Sequence, residues 1–273
     1  MMQQQPHALS EDYARVEEDP RPPFVSYEDL ADRVSLSLVD GKLTEDAVYE
    51  GCQAARSLGA DAVLVRPSDV DLVKNWLASS SVKLNSLTGF PGGTSTTGAR
   101  LYEARDVVRR GAMELAVAMN LGKLVSRKFL YLEAELLQLV EQCRQAQAKL
   151  RAVFEMENLQ QDHVLIGVRL CKRTGVEMMD LAFGDSNGER QAAIVRYVSH
   201  HAKGKIQIGV FAPRISLDSA IKMYAAGAES FVCSDAATLL QSWRSEIQRR
   251  KEEEERRIKE QGAASSPAPI PSE

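Results

Sequence analysis

Gly89-Phe90-Pro91-Gly92-Gly93-Thr94-Ser95 and, further on, Gly111-Ala112-Met113-Glu114-Leu115 are the stretches on which the fold turns. The first follows an apolar run at 82–88 and breaks it with glycine and proline. Residues 92–98 then read as a flexible loop over a strand end, a turn and helix cap rather than a phosphate cradle. The second opens with a Gly-Ala pair that stops a helix just before the apolar run at 114–120. Similar junctions recur at Gly59-Ala60, Gly175-Val176 and Gly227-Ala228. Outward from these, strand-like runs fall at 33–38, 61–66, 82–88, 114–120, 151–156, 177–182, 206–211 and 230–233, each followed by a stretch of helical period. Eight such units predict an α/β chain closed into a single (β/α)8 TIM barrel. A doubly wound open sheet is the weaker alternative, because no Gly-rich phosphate loop follows the first strand.

With 273 residues and 44% hydrophobic content the chain can bury one large core. A net charge of −4 gives no basic excess to track a nucleic-acid backbone, so nucleic acid is not an expected partner. Cys52, Cys143, Cys171 and Cys233 are too widely spaced for a disulfide framework or a zinc site and read as buried thiols. No apolar run is long enough to span a bilayer and the N-terminus lacks a signal-like segment, so the expected location is the cytoplasm, with no membrane partner. Four divisions are predicted: a disordered tail at 1–24, the barrel at 25–240, a charged helical extension at 241–261 and a second disordered tail at 262–273. The extension carries i,i+4 acid–base pairs but no sustained apolar heptads, which favours a solvated helix over a coiled coil.

The two opening stretches resemble the "GFP-(H/G)-G" turn and the "GADEIDMV" fourth strand of the deoxyribose-phosphate aldolase family. The resemblance covers roughly 30–240 and implies a barrel whose active site lies at the C-terminal strand ends. It also implies a mechanism in which a strand-six lysine forms a Schiff base with a sugar aldehyde, a strand-seven lysine lowers its pKa, and a strand-four aspartate relays protons. Carried over residue by residue, the pattern puts Asp180 at the Schiff-base lysine, Gly209 at the partner lysine and Ala116 at the relay aspartate. Ser35 stands for a strand-one aspartate and Arg151 for a strand-five lysine, while Glu155 is retained. Leu64 stands where the family often has cysteine. No other residue type can form the imine. Of the remaining lysines, Lys205 precedes strand seven, Lys172 and Lys222 fall on helices, and only Lys123 falls near the mouth, where it reads as a surface lysine.

The family's phosphate loops are half kept. Ala212-Pro213 replaces a glycine pair, removing one N–H donor, and Phe231-Val232-Cys233-Ser234-Asp235 keeps Ser234 but adds a negative charge. The candidate catalytic residues are therefore Asp180 and Glu155, and the candidate ligand or phosphate-binding residues are Ser234, Arg214, Arg66 and Asn120. Glu157 and Asp185 complete the polar set expected at the mouth. Glu155, Glu157 and Asp180 could in principle hold a divalent metal, but carboxylates neutralised by Arg151 or Arg214 are the simpler expectation, and no metal or cofactor is predicted. His200-His201 reads as a helix C-terminal pair. The functional reading is an aldolase-like barrel without Schiff-base activity that binds a small polar or phosphorylated ligand such as a sugar phosphate, with homo-oligomerisation allowed. Its rivals are a lyase of altered mechanism and a regulatory or structural protein.

Overall fold

A computed structural model describes residue 21, residues 23–184 and residues 188–264. A short helix α1 (Glu28–Ala31) leads into the first strand, and from there strand and helix alternate: β1 (Val34–Leu38), α2 (Glu45–Leu58), β2 (Ala62–Val65), α3 (Val70–Trp76), β3 (Lys83–Thr88), α4 (Thr97–Arg110) and β4 (Glu114–Ala118). Two helices, α5 (Leu121–Val125) and α6 (Phe129–Gln145), precede β5 (Lys149–Glu155). Then come α7 (Gln161–Thr174), β6 (Met178–Ala182), α8 (Gly188–Ala202), β7 (Gln207–Phe211), α9 (Leu217–Ala225), β8 (Ser230–Cys233) and α10 (Ala236–Ala264). The strands are all parallel and close in chain order, β8 pairing with β1. Each predicted strand is present, shortened by up to two residues at an end or, for β5, begun two residues earlier.

Local chemistry sets the junctions. Thr44, Thr96 and Ser216 each accept a backbone N–H with the side-chain oxygen and start α2, α4 and α9. Gly59 and Gly175 end α2 and α7 in the left-handed conformation at φ 62° and 80°, where a side chain would be strained.

The register defines the barrel interior. Partners running round the sheet, such as Asn85 with Glu114, Glu114 with Lys149 and Arg151 with Met178, fix which side chains face the axis. A tilted eight-stranded barrel climbs about one residue per strand, so alternate strands contribute to successive layers of four. From the N-terminal end upward these are Ala62, Glu114, Met178 and Ser230; then Ser35, Asn85, Arg151 and Gly209; then Leu64, Ala116, Asp180 and Val232; then Ser37, Leu87, Val153 and Phe211. The lower layers are rich in polar side chains. Above them Leu64, Leu87, Ala116, Val153 and Val232 form an apolar cluster separate from the larger core between sheet and helices, with Val39, Ala182 and Phe211 packed on it.

Both expected boundaries of the barrel shift. Phe24, placed in the N-terminal tail, is 3% exposed and stacks on Tyr224 at 4.1 Å, and Arg21 pairs with Glu229 at 2.6 Å. The ordered body therefore reaches back at least to Arg21, because an aromatic so close to α9 and α10 gains more by burial than it loses in freedom. At the other end α10 runs unbroken past 240. Trp243 is fully buried and donates to the Ser26 carbonyl, and Arg250 donates to that of Phe24. Residues 248–258 of the helix are all exposed.

Candidate functional site

The positions that should carry chemistry meet at the axis. Arg151 donates from Nε and Nη2 to the two carboxylate oxygens of Asp180 at 2.8 and 2.7 Å, from Nη1 to Glu114 at 2.9 Å and from Nη2 to the Ser230 hydroxyl at 3.1 Å. Asp180 is 0% exposed and Arg151 4%. Burial alone would lower the guanidinium's pKa, but the charges and hydrogen bonds of Asp180 and Glu114 outweigh it and hold it above its ordinary value. Gly209 lies against this pair, and a Cβ there would stand 1.9 Å from an Asp180 oxygen and 3.1 Å from Arg151 Nη2. The strand-seven position thus has no room for a lysine while Asp180 is present. Asp180, expected at the mouth, is instead fully buried and bonded to Arg151, in the same layer as Leu64, Ala116 and Val232 of the apolar cluster. Glu114, the third charge of this group, was not foreseen: as the first residue of its strand it reads as a surface acid.

The mouth itself is organised by the β3–α4 loop. Glu103 accepts from the Thr88 hydroxyl and the Gly89 N–H, and Glu155 accepts from the Gly92 N–H at 3.1 Å. Gly93 packs so closely on the backbone of Ala118 to Asn120 that a Cβ would meet it at 2.5–2.7 Å. Beneath the loop, Arg100 donates to Glu135 and to the Ala118 carbonyl, both arginine and glutamate being at most 2% exposed. Phe90, 42% exposed, reaches across to Phe211 at 6.2 Å between ring centroids. The loop expected to be flexible is therefore tied at several points, and Thr96 gives it the predicted helix cap.

The remaining candidates are spread around this rim. Arg66 is held by Asp69 at 2.7 Å and by the carbonyls of Asp40 and Leu43, so its guanidinium staples loops instead of awaiting an anion. Asn120 caps α5 by accepting the Lys123 N–H. Glu157 accepts the Gly184 N–H. Ser234 and Arg214 are exposed on the loops after β8 and β7, but the Ser234 and Asp235 N–H groups both donate to the Pro213 carbonyl at 3.1 and 3.3 Å, which commits donors a phosphate would need. Asp185 lies outside the described residues. Among the described residues no three carboxylate, thiol or imidazole groups converge as metal ligands. Lys123 lies over the Tyr131 ring at 5.1 Å, as a surface lysine can. His201 bonds the Tyr197 carbonyl near the end of α8. The four cysteines are buried, and desolvation raises the Cys52 thiol to about 11 and those of Cys143, Cys171 and Cys233 to about 12. No described helix is long and apolar enough to cross a membrane.

No protein-family model matches the chain. Among curated proteins, a deoxyribose-phosphate aldolase of Picosynechococcus sp. is 29% identical over 213 residues, covering 78% of this chain and 92% of that one. One of Clostridium kluyveri is 26% identical over 216 residues, covering 78% and 97%. Among solved structures, the aldolase QR15 superposes with a TM-score of 0.73 at 25% identity, over 80% of this chain and 96% of that one. The tetrameric deoxyribose phosphate aldolase of Aeropyrum pernix gives 0.72 at 24% identity, over 82% and 94%. The likeness spans nearly the whole of each relative, and it agrees with the resemblance read from the β3 turn and the fourth strand.

Proposed function

We propose that this relative of the deoxyribose-phosphate aldolases is a barrel without Schiff-base chemistry, which binds a small polar or phosphorylated molecule at its mouth. One observation carries the reading: the residue at the nucleophile position is a carboxylate, fully buried and matched oxygen for nitrogen to Arg151. An imine requires a neutral amine at the substrate, and the strands hold lysine only at Lys83 and Lys149, the first residues of β3 and β5, at the end opposite the mouth. Lys83 is moreover bonded to Asp61, which raises its pKa and keeps it protonated. For binding, Ser234 and Arg214 offer a hydroxyl and a cation at the strand ends, and Glu155 borders the same opening.

Borohydride reduction in the presence of 2-deoxyribose 5-phosphate should leave no covalent adduct, whereas a stoichiometric mass increase mapped to any lysine would overturn the reading. Thermal shift with 2-deoxyribose 5-phosphate and with inorganic phosphate tests the binding half, and Arg214→Ala should abolish any shift. Self-association, of the kind described for the Aeropyrum pernix protein, is checked by light scattering. The exposed stretch of α10 over residues 248–258 favours a second reading, a regulatory role through a protein partner, for which truncation after Arg250 should remove binding to that partner without changing the fold.

A further inference from the structure

We propose that ordered water occupies the barrel axis at the level of Arg151, bridging Ser35 Oγ, Asn85 Oδ1 and the guanidinium. Ser35 and Asn85 are 1% and 2% exposed, and neither Ser35 Oγ nor Asn85 Oδ1 has a hydrogen-bond partner within the protein. Buried polar atoms are rarely left so, because losing water without replacement is costly. The two are not scattered: the strand register puts both in the layer that also holds Arg151 and Gly209. Arg151 makes four hydrogen bonds from a group that carries five N–H donors, leaving one on Nη1. An acceptor-only amide oxygen, a hydroxyl and an N–H donor on one layer match a water molecule, which typically makes about three hydrogen bonds when buried.

Small side chains stand among the larger ones at this level: Ser35 within the layer, Ala62 below and Ala116 above. Solvent would enter from the N-terminal end of the barrel, since the Glu114 side chain is 10% exposed and that of Asp180 1%, while the apolar cluster seals the side toward the mouth. The site is thus separate from the ligand opening and independent of what that opening binds.

The sign of one substitution tests the proposal. If Ser35 Oγ is hydrated, Ser35→Ala removes a satisfied hydroxyl and the melting temperature falls by about 2–4 °C; if the hydroxyl is dry, the same change removes a buried unsatisfied group and the temperature rises. A rise would overturn the proposal. A high-resolution crystal structure of the full chain should show density within about 3.2 Å of both Ser35 Oγ and Asn85 Oδ1. Absence of that density, or its replacement by a strong anomalous peak after a thallium soak, would also overturn it.

Discussion

Arg151 and Arg100 are both almost fully buried and both meet carboxylates, but they are stabilised differently. Arg151 is surrounded by two carboxylates and a hydroxyl on three other strands, and pairing overcomes the effect of burial on its pKa. Arg100 has one carboxylate, Glu135, and a backbone carbonyl. Its Nε finds no partner, and burial prevails, lowering its pKa. The first arginine completes an ionic core within the sheet, where backbone pairing already fixes every partner. The second holds helices α4 and α6 to the end of β4 under a loop, and its position depends on that loop. A buried ion pair in the barrel interior is thus part of the frame, whereas one outside it works as a fastening.

The largest expected effect distinguishes the two. Asp180→Asn replaces a carboxylate that accepts from both Nε and Nη2 of Arg151 with an amide that can accept from only one and turns an NH2 toward the guanidinium, so it should destabilise the fold by about 3–5 kcal/mol in denaturant titrations. A more stable variant would mean that Asp180 is held for binding and not for folding. Arg100→Lys should cost less, about 1.5–3 kcal/mol, because a cation still faces Glu135, which also keeps its bond from the Thr97 hydroxyl, while the bond to the Ala118 carbonyl is lost. Hydrogen exchange should rise at 89–93, and a loss as large as that of Asp180→Asn would erase the contrast. Gly209→Ala should cost about 1–3 kcal/mol by crowding Asp180, and much less in an Asp180→Ala background. Additive losses in that double-mutant cycle would break the link between the two replaced positions.

The smallest effect is alkaline. Neither arginine titrates near neutrality, and the thiols are the groups whose raised pKa values reach into accessible pH. Their folded pKa values, about 11 to 12, lie above the ordinary value of 9.0, so their contribution is complete below about pH 9 and is lost as pH rises through the folded values. Melts should be flat from pH 7 to 9 and fall above it. Fast reaction of a thiol reagent with the native protein at pH 8 would contradict the burial.

The strands were legible because each is a short apolar run, four of them preceded by a glycine junction at Gly59, Gly111, Gly175 or Gly227, and burial on both faces makes that pattern strong. The expectation that Ala116, Asp180 and Gly209 stand where the family carries reactive side chains needed only position along the strand. Partners were not. Arg66 and Asn120 looked like ligand-binding groups because nothing in the sequence says that Asp69 or the Lys123 N–H will claim them. Arg100 and Glu135 drew no reading because each falls on a helix and nothing local says that they will pair in the interior. Phe24 read as tail because its neighbours are polar and its contacts, Tyr224 and Trp243, are some two hundred residues away.

The pairing of β1 with β8 joins the first and last strands of the barrel, and this bears on how the protein is made. Until Ser230–Cys233 has left the ribosome, the growing sheet is an open fan with β1 exposed along one margin and the latest strand along the other. Phe24 and Tyr27 must also wait for α10, which follows β8. A nascent chain stalled before residue 230 should therefore bind chaperones through β1 and remain protease-sensitive, and release of the completed chain should abolish both together.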